Sequence, residues 1–386
     1  MIRASMLAAA LAGALLYADP NATSPVSSPA NENERSSASE VGANPKTRRF
    51  EAGSEGWIEF ERDDRTRRCL VHVGAAVEPE SLAPLVLVFH GAGANADWQK
   101  GYCGLAREAD REGYIAAFPD GTGRLGRWLL TWNAGSCCGY ATSEGVDDVA
   151  FIDELLDRLL RELPVDASRV YAVGLSNGGM MCYRLARELP DRIAAIGVVS
   201  GTHLGDPPAS RDRAVPVIHF HGTEDRLVPF EGGSPREWMP THGFRSAPDS
   251  ASLWANHAGC EPTPDVTELP DRAEDGTRVR RRSWTGGRDG SRVVLYEIEG
   301  GGHTWPGRVF FAGIAAPAWS RRFSLLGRTS EDIDANALLW EFFRAHPMPE
   351  NPEAPRGAST STPLDQESEA SDSTDSPDSP RSPEDR

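Results

Sequence analysis

Ser176 stands in Gly174-Leu175-Ser176-Asn177-Gly178, where the apolar run "RVYAVGL" gives way to a long amphipathic stretch. G-x-S-x-G at a strand-to-helix junction is a nucleophile-elbow pattern, whose small neighbours allow a sharp turn that exposes a hydroxyl. A serine hydroxyl attacks a carbonyl only when a base takes its proton and a third group orients that base. Downstream, "HFHGTED" closes an apolar run with Asp225, and "EGGGH" closes another with His303. The separations, 49 residues to Asp225 and a further 78 to His303, leave room for at least one strand–helix unit in each interval. Glu224 is the weaker acid, because Asp225 follows the turn and precedes Val228-Pro229. The other histidines, His219 and His221 among them, read as packed or surface side chains.

Attack on a carbonyl puts negative charge on its oxygen, and two backbone N–H groups must meet it. Asn177, directly after the serine, supplies one. The turn after "LVLVFHG", His90-Gly91-Ala92-Gly93, supplies the other; Ala92 is the choice, with Gly91 and Gly93 as near rivals. None of this chemistry calls for a metal or an organic cofactor.

These residues need a frame that collects them. "LAPLVLVFHG", "YIAAFPDGTG", "SRVYAVGLS", "IAAIGVVSG", "VPVIHFHGTED" and "SRVVLYEIEGGGH" are continuous apolar runs, the mark of strands buried on both faces. Between them, "VDDVAFIDELLDRLLREL" repeats apolar residues three or four apart, and a helix is expected from Gly178. "TSEDIDANALLWEFFRAH" closes the pattern as a helix with Ser330 as its expected N-cap. Strands alternating with helices imply an α/β domain with a mostly parallel sheet covered on both faces. In such sheets function gathers at the carboxyl ends of strands, where Ser176, Asp225 and His303 all fall. The chain order Ser, Asp, His is that of the α/β-hydrolase fold.

The formal charge of -17 over 386 residues excludes a basic nucleic-acid footprint. Hydrophobic residues at 39% are enough for a sizeable core. Residues 1–18 carry Arg3, an apolar run and then small residues, the pattern of a secretory signal ending near Ala18 and too short to span a membrane stably. Residues 19–48 read as a disordered linker and 347–386 as a disordered acidic Ser/Pro-rich tail, leaving 49–346 for one catalytic domain. An extracellular or periplasmic location follows from the signal. In that setting Cys69, Cys103, Cys137, Cys138, Cys182 and Cys260 read as disulfide partners, the adjacent pair reaching two different partners. No C-x-x-C pair is present to suggest zinc.

Six motifs in order, "LVLVFHGAGAN", "TWNAGSCCG", "VDDVAFIDELLDRL", "VYAVGLSNGGMMCYRLA", "HFHGTEDRLVPF" and "GGGHTWPG", resemble secreted esterases of the polyhydroxybutyrate depolymerase and feruloyl esterase group, related to carbohydrate esterase family 1. The resemblance covers roughly residues 55–346. It implies Ser176 as nucleophile, Asp225 as acid and His303 as base. It further implies that Trp132, Asn133 and Trp305 line the acyl side of the cleft, and that Asp147 and Asp148 support the region structurally. The implied substrate is an ester of a polyester oligomer or a plant polysaccharide. A serine peptidase on the same fold and an inactive surface binding protein are the alternatives. The apolar stretch 308–328 is a candidate lid, and the arginine-rich 277–292 a solvated hairpin.

Overall fold

The computed structural model describes residues 50–209, 212–234, 243–308 and 326–349. The expected signal and linker, nearly all of the expected tail and most of the candidate lid lie outside the described residues. Among the described residues, no helix is long and apolar enough to cross a membrane.

Ten strands form one sheet: β1 (Glu55–Arg62), β2 (Arg65–Val73), β3 (Ala83–Phe89), β4 (Ile115–Pro119), β5 (Val165–Leu175), β6 (Ala195–Val199), β7 (Val217–Gly222), β8 (Asp265–Glu268), β9 (Arg278–Trp284) and β10 (Val293–Glu299). Their spatial order is β1-β2-β4-β3-β5-β6-β7-β10-β9-β8. The central strands β4, β3, β5, β6, β7 and β10 run parallel, and an antiparallel pair flanks them on each side. All six continuous apolar runs became these parallel strands. β3, β4, β6 and β7 are buried at every position, as helices on both faces demand.

Alternation along the strands splits the core in two. On one face, Leu85, Leu87 and Phe89 of β3 pack with α4 (Asp148–Glu162), α5 (Asn177–Glu188) and α6 (Ala247–Ala258). On the other, Val86 and Val88 pack with α1 (Ala96–Cys103), α2 (Leu105–Glu112) and α7 (Ala335–Arg344). A single turn, α3 (Gly139–Ser143), lies in the long connection from β4 to α4.

Two expectations need correction. Asp334, not Ser330, caps α7: its Oδ1 accepts from the Asn336 and Ala337 N–H groups, while the Ser330 hydroxyl accepts from Thr277 Oγ1. Cys137 and Cys138 are bonded to each other, and Cys69, Cys103, Cys182 and Cys260 are free and buried. Cys103 lies in the core on the opposite sheet face from Cys69, Cys182 and Cys260. The arginine-rich stretch does form a hairpin: β9 runs antiparallel to β10, and its half-exposed Arg280 and Arg282 pair with Glu297 at 3.4 and 2.9 Å.

Arg67 of β2 meets Asp148 at the start of α4 at 2.7 Å, both side chains almost wholly buried. The guanidinium also lies 3.7 Å over the Phe151 ring, and the second Asp148 oxygen accepts from the Asn133 N–H at 2.8 Å. Asp147 caps α4 by accepting from the Ala150 N–H. One ion pair therefore ties the antiparallel flank, α4 and the 132–133 segment together. Removing one partner of a buried pair strands a charge at a cost of about 3–5 kcal/mol. Arg67→Ala should lose that much in urea unfolding, and Arg67→Met with Asp148→Leu markedly less. A loss for Arg67→Ala no larger than the roughly 1 kcal/mol of an exposed pair would contradict the assignment.

Candidate active site

Strand β5 ends at Leu175, and Ser176 turns the chain with φ 57° and ψ -122°. An L-residue takes up that conformation only where its surroundings enforce it. Here the Ser176 N–H is held by the Val199 carbonyl at 2.8 Å, and its own carbonyl accepts the Met180 N–H at 3.0 Å. Gly174 and Gly178 make the turn possible in a specific way. A Cβ on Gly174 would overlap the Gly178 backbone, and one on Gly178 would overlap the Phe89 carbonyl. Helix α5 thus leaves the elbow in backbone contact with β5 and β3. From Val170 to Tyr183, Ser176 is the one residue not buried.

Asp225 sits in the turn after β7. Its Oδ1 accepts from the Leu227 and Val228 N–H groups at 2.8 and 2.9 Å, and its Oδ2 lies 2.7 Å from His303 Nδ1. Burial pushes its carboxyl up, but the charge of His303 and hydrogen bonds from His221 and His303 outweigh that and hold it well below the usual carboxylate range. Asp225 therefore only accepts, so His303 Nδ1 carries a proton and Nε2 is left for other chemistry. Glu224 points away and is exposed, 3.8 Å from Arg328.

His303 follows β10 through Gly300-Gly301-Gly302. These glycines serve close packing of backbones: a Cβ on Gly302 would overlap the Leu326 carbonyl, which accepts the His303 N–H at 2.6 Å. Likewise a Cβ on Gly222 would overlap the backbone of Gly301. Lateral hydrogen bonds continue past the strand ends, from Ser176 N to Val199 O (2.8 Å), Ser200 N to Phe220 O (2.8 Å) and Thr223 N to Ile298 O (2.9 Å). This ladder brings the exits of β5, β7 and β10, and with them Ser176, Asp225 and His303, to one edge of the sheet. The structure joins Asp225 to His303 directly and sets Ser176 at the same edge.

The turn after β3 lies against the serine, since a Cβ on Gly91 would stand 3.5 Å from Ser176 Cβ. The Gly93 N–H is taken by the Leu130 carbonyl at 2.8 Å, whereas among the described residues the Ala92 N–H meets no protein acceptor. The Asn177 N–H opens α5 and so has no partner within the helix. His90 braces this turn. Its Nε2 accepts from the Gly121 N–H at 3.0 Å, leaving Nδ1–H to donate to the Gly91 carbonyl at 2.9 Å. Burial lowers its pKa to about 4, so the ring stays neutral with that tautomer.

Asn177 has a second task. Its side chain accepts from the Trp132 N–H at 2.7 Å and donates to the Trp132 carbonyl at 3.0 Å. The structure sets Trp132 and Trp305 wholly inside the protein, not on an open cleft wall. Trp132 Nε1 donates to the His90 carbonyl, and Trp305 Nε1 to Asn336. Asn133 spends its amide on the Val146 carbonyl and the Gly135 N–H. His219 and His221, read from the sequence as packed or surface side chains, are buried on β7, whereas His90 and Ser200 have tasks that the sequence did not assign. The only available signal was their position beside strand ends.

A mostly parallel sheet carrying a strained serine elbow at a strand exit defines an α/β-hydrolase. Comparison with known proteins narrows the class. The family described as Esterase PHB depolymerase matches residues 69–226. "Putative esterase NocK" of Nocardia uniformis subsp. tsuyamanensis is 33% identical over 257 residues, 64% of this chain and 72% of that protein. Feruloyl esterase B of Piromyces equi is 30% identical over 250 residues, 61% of this chain but only 42% of that longer protein. The acetyl xylan esterase from Aspergillus awamori aligns at a TM-score of 0.47 and 15% identity, over 64% of this chain and 94% of that one. The chain belongs to the Esterase PHB depolymerase family and is a carboxylic ester hydrolase.

Burial also holds His203 at about 4 and His219 well below 6.5. A folded pKa below the unfolded value means that only the unfolded chain takes up protons between the two. The contribution of these neutral rings is complete above pH ~6.5 and is lost as pH falls towards about 4. Each fully buried ring accounts for on the order of 3 kcal/mol across that window. Urea unfolding should show stability falling from pH 7 to 4, with His90→Gln flattening the slope by about one histidine's share; a flat wild-type profile would refute the neutral assignments.

Proposed function

We propose that the protein is a secreted serine esterase working through Ser176, His303 and Asp225. Ser176 Oγ attacks the ester carbonyl while His303 Nε2 takes its proton. Asp225 holds the imidazolium through Nδ1, and the Asn177 and Ala92 N–H groups meet the oxyanion. His303 then passes the proton to the departing alcohol, and water attacks the acyl-enzyme by the same route in reverse. The observation that carries this reading is the 2.7 Å Asp225–His303 contact at the sheet edge that also bears the half-buried, strained Ser176. Similarity to a feruloyl esterase and to the bifunctional acetylxylan esterase/xylanase XynS20E of Neocallimastix patriciarum supports feruloyl or acetyl esters of plant polysaccharides as substrates; the family name supports polyester oligomers alongside them. In this reading the buried indoles of Trp132 and Trp305 fix the wall behind the substrate, and Asn133 holds the segment in place.

Short p-nitrophenyl esters give the first test. Ser176→Ala should lower kcat by about 10³-fold or more with the fold intact by circular dichroism; equal rates would end the proposal. Methyl ferulate, acetylated xylan and hydroxybutyrate oligomers then rank the substrates. A kcat/KM for hydroxybutyrate oligomers far above the other two would displace the polysaccharide reading.

A further inference from the structure

Asp225 has a second histidine neighbour. His221, on β7, places Nε2 2.8 Å from the Val228 carbonyl and 3.5 Å from Asp225 Oδ2. Val228 is also the residue whose N–H holds Asp225 Oδ1. Behind His221 a hydrogen-bonded chain continues inward. His221 Nδ1 lies 3.1 Å from His219 Nε2, and His219 Nδ1 lies 3.1 Å from the Tyr183 hydroxyl. Tyr183, His219 and His221 have no solvent exposure. The two histidines share a face of β7 by strand alternation, and Tyr183 stands on α5, the helix that begins at the elbow.

A carbonyl oxygen can only accept, so His221 Nε2 carries the proton directed at Val228 and Asp225. Its Nδ1 faces His219 Nε2, and in the order that places one proton on each ring it accepts from His219 Nε2–H. Burial keeps His219 neutral, so its Nδ1 in turn accepts the Tyr183 O–H. Every donor in this order has an acceptor, as a buried polar chain requires.

We propose that His221 is a positioning residue for the Asp225 carboxylate, clamping the Asp225–Val228 turn and kept in its tautomer by His219 and Tyr183. The inference rests on Asp225 being the acid of the esterase. It ties the orientation of that carboxylate to the helix that carries the nucleophile.

His221→Leu removes the clamp and should lower kcat about 10–100-fold with KM little changed, the scale of a small misplacement in a catalytic array. The acidic limb of the kcat/KM profile should move to lower pH, because a displaced Asp225 stabilises the His303 imidazolium less. His221→Gln offers one donor and one acceptor at similar reach and should recover most of kcat. Should His221→Leu not fold, Tyr183→Phe deletes only the terminal donor and should give a smaller kcat loss with the limb displaced in the same direction. In an Asp225→Asn background neither substitution should lower kcat further, since interacting residues are not additive. An acidic limb that stays or moves up, or losses that multiply in the Asp225→Asn background, would overturn the inference. Wild-type rates in Ser176→Ala and Asp225→Asn would instead mark failure of the esterase assignment itself.

Discussion

The architecture turns on backbone contact at the elbow. Helix α5 can start where it does only because neither Gly174 nor Gly178 carries a side chain, so that strand, turn and helix approach to the distance of bare peptide groups. That approach forces Ser176 into a conformation an L-residue would otherwise avoid. The strain is sustained by the bonds from Ser176 N to Val199 and from Met180 N to the Ser176 carbonyl. The same closeness presses the Gly91 turn against the serine. The strained serine and the turn beside it are thus consequences of one packing constraint.

A second layer of order comes from side chains that bond to backbone. The Asn177 amide, His90 and Asp148 each hold a loop by its peptide groups, at Trp132, at Gly91 with Gly121, and at Asn133. Loops between strands lack a ladder of their own, and a buried N–H or C=O without a partner is costly. Each anchor therefore satisfies such a group and also restricts the loop to one arrangement. The chain's polar interior is spent on keeping the functional edge of the sheet in place.

The parallel strands were legible because burial on both faces leaves an unbroken apolar run, and the elbow because its glycines fall at a strand end. The order Ser176, Asp225, His303 was legible for the same reason. Other features depended on distances in space that linear order does not carry. Asp334 caps α7 and Ser330 does not, since Ser330 is drawn instead to Thr277, which leads into β9. The close passage of β10's exit is of that kind, since bare Gly222 admits the Gly301 backbone and bare Gly302 the Leu326 carbonyl. Composition suggested disulfides for every cysteine, but the layering of helices set Cys103 apart from the others. The family resemblance implied Trp132 and Trp305 as substrate contacts, and only their buried indole hydrogen bonds show what they hold.

The sheet's outer strands carry a different consequence. β1 presents Glu55, Glu59 and Glu61 outward, and β8 is only four residues long, with Asp265 and Glu268 exposed. A sheet margin is a template on which another chain can add itself. Here both margins carry exposed carboxylates on a chain of net charge -17, so two copies meeting edge to edge would bring like charges together. Acidic margins of this kind disfavour the addition of a further strand from a second copy.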